Sequence, residues 1–95
     1  MIGSGPLCDA IAKRLIVAFS YQGRIRTVEP HIVGYDSDDD LTLSAWQLSG
    51  GSGIGWRDFH ISKLSGLSIT DRTFSAPRPG YNPQDSTLQG IVCRL

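Results

Sequence analysis

Ninety-five residues, 40% hydrophobic and 19% charged, make one small folded domain and exclude a multidomain chain. Nine Lys plus Arg balance nine Asp plus Glu, so no chain-wide basic field marks a polyanion binder. The zero conceals a division: Asp36, Asp38, Asp39 and Asp40 form one acidic run, and outside it nine basic residues face five acids. Seven of the nine basic residues are Arg, whose planar fork suits phosphate or carboxylate, a bias that a GC-rich genome also produces.

Pro6 suits a first helical position, and Leu7, Ile11 and Leu15 recur at helical spacing, which predicts a helix over 6–14. Leu15, Val17, Phe19 and Tyr21 then alternate along a first strand, and Gln22-Gly23 is a turn. A second strand covers 24–33, with Pro30 demanding a bulge or an edge position because it cannot donate to a ladder. Residues 35–40 read as a solvated turn, since a calcium loop of the EF type needs a glycine and a later glutamate that are absent. Leu41, Leu43 and Ala45 alternate with Thr42, Ser44 and Trp46 as a third strand. The glycine-rich stretch 50–55 fits neither GxxxxGK[ST] nor GxGxxG and opens no helix, so it reads as a hairpin loop rather than a phosphate cradle.

Residues 56–61 and 64–70 follow as fourth and fifth strands, and the Pro-rich segment 71–84 should lie extended over the domain. Leu88, Ile91, Val92 and Leu95 share a helical face, with Ser86 and Gln89 as a capping box, which predicts a C-terminal helix over 85–95. Gly90 weakens that helix by roughly 1 kcal/mol relative to Ala. Five short strands in close succession leave no room for parallel crossovers. The expected fold is therefore mainly β: a five-stranded SH3-like or Sm-like antiparallel barrel over 15–70, with short N- and C-terminal helices.

Cys8 and Cys93 have no CxxC spacing, and reduced, buried thiols on the two terminal helices are expected, with a staple between the termini as the alternative. The N-terminus resembles no signal peptide, and the longest apolar run, 15–19, is too short to cross a bilayer, so a cytoplasmic protein without membrane contact is expected. No nucleophile, base and orienter set is placed by a motif, and no metal or cofactor pattern is present, so the expected function is binding rather than catalysis.

From about Ala10 to Leu95 the chain resembles a WYL domain. The first strand ends in tyrosine (Arg14-Leu15-Ile16-Val17-Ala18-Phe19-Ser20-Tyr21), and a short basic strand runs into proline (Arg24-Ile25-Arg26-Thr27-Val28-Glu29-Pro30). An arginine, a phenylalanine and a basic-aliphatic pair follow in Arg57-Asp58-Phe59-His60-Ile61-Ser62-Lys63-Leu64, and the tail runs from Thr73-Phe74 to Arg78-Pro79-Gly80-Tyr81. The tripeptide that names the family falls at Leu41-Thr42-Leu43, where both aromatics are missing, and Lys63 stands where arginine is usual. The resemblance implies a ligand-sensing module of bacterial transcription factors or phage-defence regulators, binding a nucleotide or single-stranded nucleic acid. With too few residues before Ala10 for a helix-turn-helix, a stand-alone sensor or an effector-binding fragment is expected.

By match to the family pattern, Arg26, Arg57 and Lys63 are the expected anion contacts, with His60 and Tyr21 beside them. Trp46 is the candidate base-stacking platform, because alternation points it away from the core. Arg57 shares a face with Phe59 and Ile61, so it needs either a bulge or a place at the barrel mouth. His31 reads as a satisfied polar residue and Glu29, the one glutamate, as the partner of an arginine. The alternative function is a protein-interaction or oligomerisation module that has lost its ligand, dimerising through the stripe Leu88, Ile91, Val92 and Leu95.

Overall fold

The structure is a computed structural model and describes residues 4–51, 53–85 and 87–95. Helix α1 (Ser4–Lys13) buries Leu7, Ala10 and Ile11, and Arg14, at a φ of 53°, turns the chain into strand β1 (Leu15–Tyr21). Gln22 and Gly23, both at positive φ, make the two-residue turn that suits the twist of a hairpin and lead into β2 (Arg24–Asp36). Strands β3 (Leu41–Ser49) and β4 (Gly55–His60) follow, then a short 3-10 turn over Ile61–Lys63, β5 (Ser65–Thr73) and β6 (Leu88–Arg94). All pairings are antiparallel, in the order β4-β3-β2-β1-β5, with β6 beside β2.

Strand β2 organises the sheet. One of its edges pairs with β3 from Thr27 to Tyr35, while the other pairs with β1 up to Val28 and with β6 from Ile32 onward. The register against β3 shifts between Pro30 and Ile32, the irregularity expected where a residue without N–H interrupts a ladder.

Two expectations are corrected here. The closed five-stranded barrel is a six-stranded sheet that curls around a core without closing: it forks where β1 and β6 share one edge of β2, and β4 and β5 are not paired. The C-terminal helix is strand β6. Gly90 and the β-branched pair Ile91-Val92 disfavour a helix, and the β2 edge beyond Val28 leaves backbone groups that a strand satisfies. A Cβ on Gly34 would stand 2.8 Å from the Gly90 carbonyl oxygen, so this crossing requires glycine. With the helix goes the expected dimer stripe, because Leu88 is buried and Val92 exposed. Ser86, of the expected capping box, lies outside the described residues.

Cys8 and Cys93 are corrected as well: they form a disulfide that joins α1 to β6. With residues 88–94 extended along β2, position 93 comes back beside the helix that covers the sheet. Inside the curl, Leu7 and Ile11 pack with Val17, Phe19, Val28, Val33, Leu43, Ala45 and Phe59, and the Phe59 ring meets those of Phe19 and Tyr21 edge-on at 5.0 Å.

The Pro-rich segment straps the outer face of the sheet, and it starts later than the expected position 71 because β5 continues to Thr73. His31 is fully buried beneath it, in ring contact with Trp56, Phe74 and Tyr81. The Arg78 N–H donates to His31 Nε2 at 3.1 Å, Trp56 Nε1 donates to the Pro79 carbonyl at 3.1 Å, and the Tyr81 hydroxyl donates to the Leu95 carbonyl at 3.1 Å. No described helix is long and apolar enough to cross a membrane.

Candidate anion-binding cleft

The interior faces of β1, β2, β3 and β4 end, at one mouth of the curl, in polar residues. Alternation that places Phe19, Val28, Ala45 and Phe59 in the core places Tyr21, Arg26, Gln47 and Arg57 on the last rungs of the same faces. Above them opens a cleft of about 650 Å³ lined by Tyr21, Arg24, Arg26, Arg57, His60 and Lys63, among others. Five of the six expected site residues therefore meet in one place.

Arg26 is the central cation. Only 7% of it is exposed, and its guanidinium sits 5.7 Å from the Tyr21 ring centre and 5.9 Å from that of Phe59. Nη1 donates to Gln47 Oε1 at 3.1 Å and Nη2 to the Tyr21 carbonyl at 3.4 Å, while Nε is buried with no acceptor. Both acceptors are neutral, and among the described residues no carboxylate lies within ion-pair distance of Arg26. A buried cation without a counter-charge is disfavoured until an anion supplies one.

Arg57 reaches the mouth without a bulge, since β3 and β4 pair in unbroken register and its place is the rung above Phe59. Its Nη1 donates to the Trp56 carbonyl at 2.7 Å. Lys63 arrives at the end of the 3-10 turn and is exposed. Tyr21 supplies its hydroxyl as acceptor for the His60 N–H at 3.2 Å, tying β1 to the end of β4.

His60 also looks away from the cleft, with Nδ1 3.5 Å from an Asp40 oxygen and Nε2 4.0 Å from one of Asp36. Donor atoms of these three residues lie within 4.8 Å of one another. The Asp40 and Asp38 N–H groups bond Asp36 Oδ1 and hold that carboxyl below its usual range, so the arrangement follows from the turn itself. Beside them burial, reinforced by Asp85, pushes the Asp58 carboxyl up.

Trp46 is not in the cleft. It lies on the outer layer, edge-on to Trp56 at 5.6 Å and under the Arg78 guanidinium at 5.4 Å, covered by the Pro-rich strap. Glu29 pairs with Arg78, and His31 has both ring nitrogens engaged, Nδ1 with the Glu29 carbonyl at 2.8 Å. Sequence reasoning missed Gln22, Arg24, Gly51, Asp58 and Phe59 in the cleft lining, and Gln47, which is fully buried behind Arg26. The signal for Gln47 was present, because it continues the interior series Leu41, Leu43, Ala45 as a polar residue on an apolar face.

Compared with protein-family models, curated proteins and solved structures, the chain finds no match.

Proposed function

We propose that the chain is a WYL-type binding module that holds a phosphate-bearing ligand, a nucleotide or a short single strand, in the cleft of Arg26, Arg57 and Lys63. The observation that carries this is the buried Arg26 guanidinium, which has neutral partners, no carboxylate within ion-pair distance among the described residues, and an Nε in want of an acceptor. An oxyanion would neutralise it through charge-assisted bonds, the stronger class of hydrogen bond. The residues on which the family resemblance rests, Tyr21, Arg26, Arg57 and Lys63, converge on this cleft, which supports a sensing role in bacterial transcriptional regulation or phage defence. With Trp46 on the other layer, recognition falls on phosphate rather than on a stacked base.

No group in the cleft forms a nucleophile and base pair by a recognised motif, and the module is proposed to bind without catalysis. A cytoplasmic setting fits only if the Cys8–Cys93 bond forms and breaks reversibly, because thiols there are kept reduced; a permanent bond fits an oxidising compartment.

Fluorescence anisotropy with end-labelled single-stranded oligonucleotides, and competition by nucleoside triphosphates, tests the reading. Three phosphate contacts give a salt slope of about −2, hence roughly twenty-fold weaker binding to the strand at 200 mM than at 50 mM salt. Absence of binding to either ligand at low salt refutes it.

A further inference from the structure

Gln47 is fully buried and links the Arg26 guanidinium to the glycine loop by hydrogen bonds. Its Oε1 accepts from Arg26 Nη1 at 3.1 Å, and its Nε2 donates to the Gly50 carbonyl at 2.5 Å and the Gly53 carbonyl at 2.6 Å. A guanidinium only donates and a backbone carbonyl only accepts, so the linking side chain must accept on one side and donate twice on the other. A primary amide does both, and its orientation here is fixed by its partners. The Gly51 backbone also lies against the guanidinium: a Cβ there would stand 2.5 Å from Nη1 and 2.6 Å from Cζ.

We propose that Gln47 is a positioning residue that transmits anion occupancy at Arg26 to the glycine loop, so that Gly50, Gly51 and Gly53 shift when the cleft fills. The inference rests on the anion-binding reading above. A phosphate oxygen outcompetes a neutral amide oxygen for a guanidinium N–H, so Nη1 is drawn from Gln47. A buried amide oxygen left without a donor is disfavoured, so Gln47 moves with Arg26 and takes the two loop carbonyls along. Nε, buried and without an acceptor, gives a second impulse, because an oxygen that satisfies it requires its surroundings to open. The loop can follow: Gly50, Gly51 and Gly53 have φ of 102°, 49° and 99°, and no side chains to obstruct the change. Ile54, 71% exposed, presents the movement at the surface. Binding in an interior cleft thereby becomes a change that a partner protein can touch.

The test is an NMR titration of the isotope-labelled full chain with inorganic phosphate, following the Arg26 side chain, the Gln47 amide group and the loop glycine N–H signals together. In the wild type all three are expected to shift with one apparent affinity. In Gln47→Met, which keeps the bulk and the Arg26 charge, Arg26 still shifts, as does Gly51 beside it in the cleft lining, while the Gly53 signal stays still. Gly51→Ala, with its Cβ against the guanidinium, is expected to weaken phosphate binding at least ten-fold with the rest of the spectrum retained. A Gly53 signal that stays still in the wild type while Arg26 saturates, or that shifts as before in Gln47→Met, overturns the coupling and leaves the binding site intact. An Arg26 side chain that never responds removes the binding site itself, and the coupling with it.

Discussion

Arg78 grips Glu29 from 49 residues further along the chain, with Nε on Oε1 at 2.6 Å and Nη2 on Oε2 at 3.1 Å. The two ends are unlike: 4% of the Glu29 side chain is exposed against 39% of that of Arg78. Losing the exposed partner strands a buried carboxylate, whereas losing the carboxylate leaves a cation that water can reach. Arg78→Ala is therefore expected to lower the urea midpoint further than Glu29→Gln does, and adding Glu29→Gln to Arg78→Ala should recover part of the loss. Equal effects, or no recovery in the double variant, would show that the pair does not hold the strap.

His31 makes that strap sensitive to acid. Burial first of all, against the opposing Glu29 carbonyl bond, holds its pKa below the ordinary 6.5. Nε2 accepts the Arg78 N–H, so a proton there would put two donors face to face. Above pH 6.5 the imidazole is neutral folded and unfolded, and the full stability is present. As pH falls from 6.5 toward the folded pKa, the unfolded chain takes up a proton that the folded one refuses. Stability then drops by up to about 1.4 kcal/mol per pH unit. His31→Gln should flatten this window. Asp58 works in the opposite sense, since its raised pKa lets the folded form protonate first and gain stability as pH falls toward 3.8. Urea titrations of both proteins from about pH 7.5 down to about pH 3.5, which cover the windows below 6.5 and down to 3.8, separate the two groups.

The Cys8–Cys93 bond closes a loop over a separation of 85 residues and pins β6 against the part of β2 that β1 has left. Reduction, or Cys93→Ala, is expected to lower stability by roughly 2–5 kcal/mol. Its local signature is faster hydrogen exchange at backbone groups paired between β2 and β6, around Ile32 to Tyr35, with the β1–β2 hairpin less affected. Uniform acceleration of both would show that β6 is no separable unit.

How much of this was legible in the sequence varies with the range of the interaction that decides it. Leu15 to Tyr21, the Gln22-Gly23 turn and the bulge at Pro30 are local matters of alternation, positive φ and a missing N–H, and they lie where the pattern puts them. Residues 88–95 carry a helical spacing of apolar side chains that a free sheet edge overrides, because backbone groups of Ile32 to Asp36 need partners at long range. The disulfide was hidden for the same reason, since it follows from where β6 lies. At the cleft, Arg26, Arg57 and Lys63 were visible as types in order, but their meeting depends on how the sheet curls. Trp46 was legible as outward-facing, and its cover by Arg78 and Trp56 was not, because it comes from a segment without periodicity.

Arg26 offers the clearest separation of function from stability. A buried guanidinium with two neutral acceptors and an unpartnered Nε contributes little to the fold that a long apolar side chain could not supply between the Tyr21 and Phe59 rings. Arg26→Met removes a buried unpaired charge but strips Gln47 Oε1 of its donor, effects of opposite sign, so thermal stability is expected to stay within about 2 kcal/mol of the wild type. It should abolish oligonucleotide binding, whereas Lys63→Ala, at the exposed rim, should weaken it several-fold and lower the salt slope by about 0.7. Calorimetry and anisotropy on the same samples decide the matter. A variant that loses several kcal/mol yet still binds would make Arg26 a structural residue and move the anion site to Arg57 and Lys63.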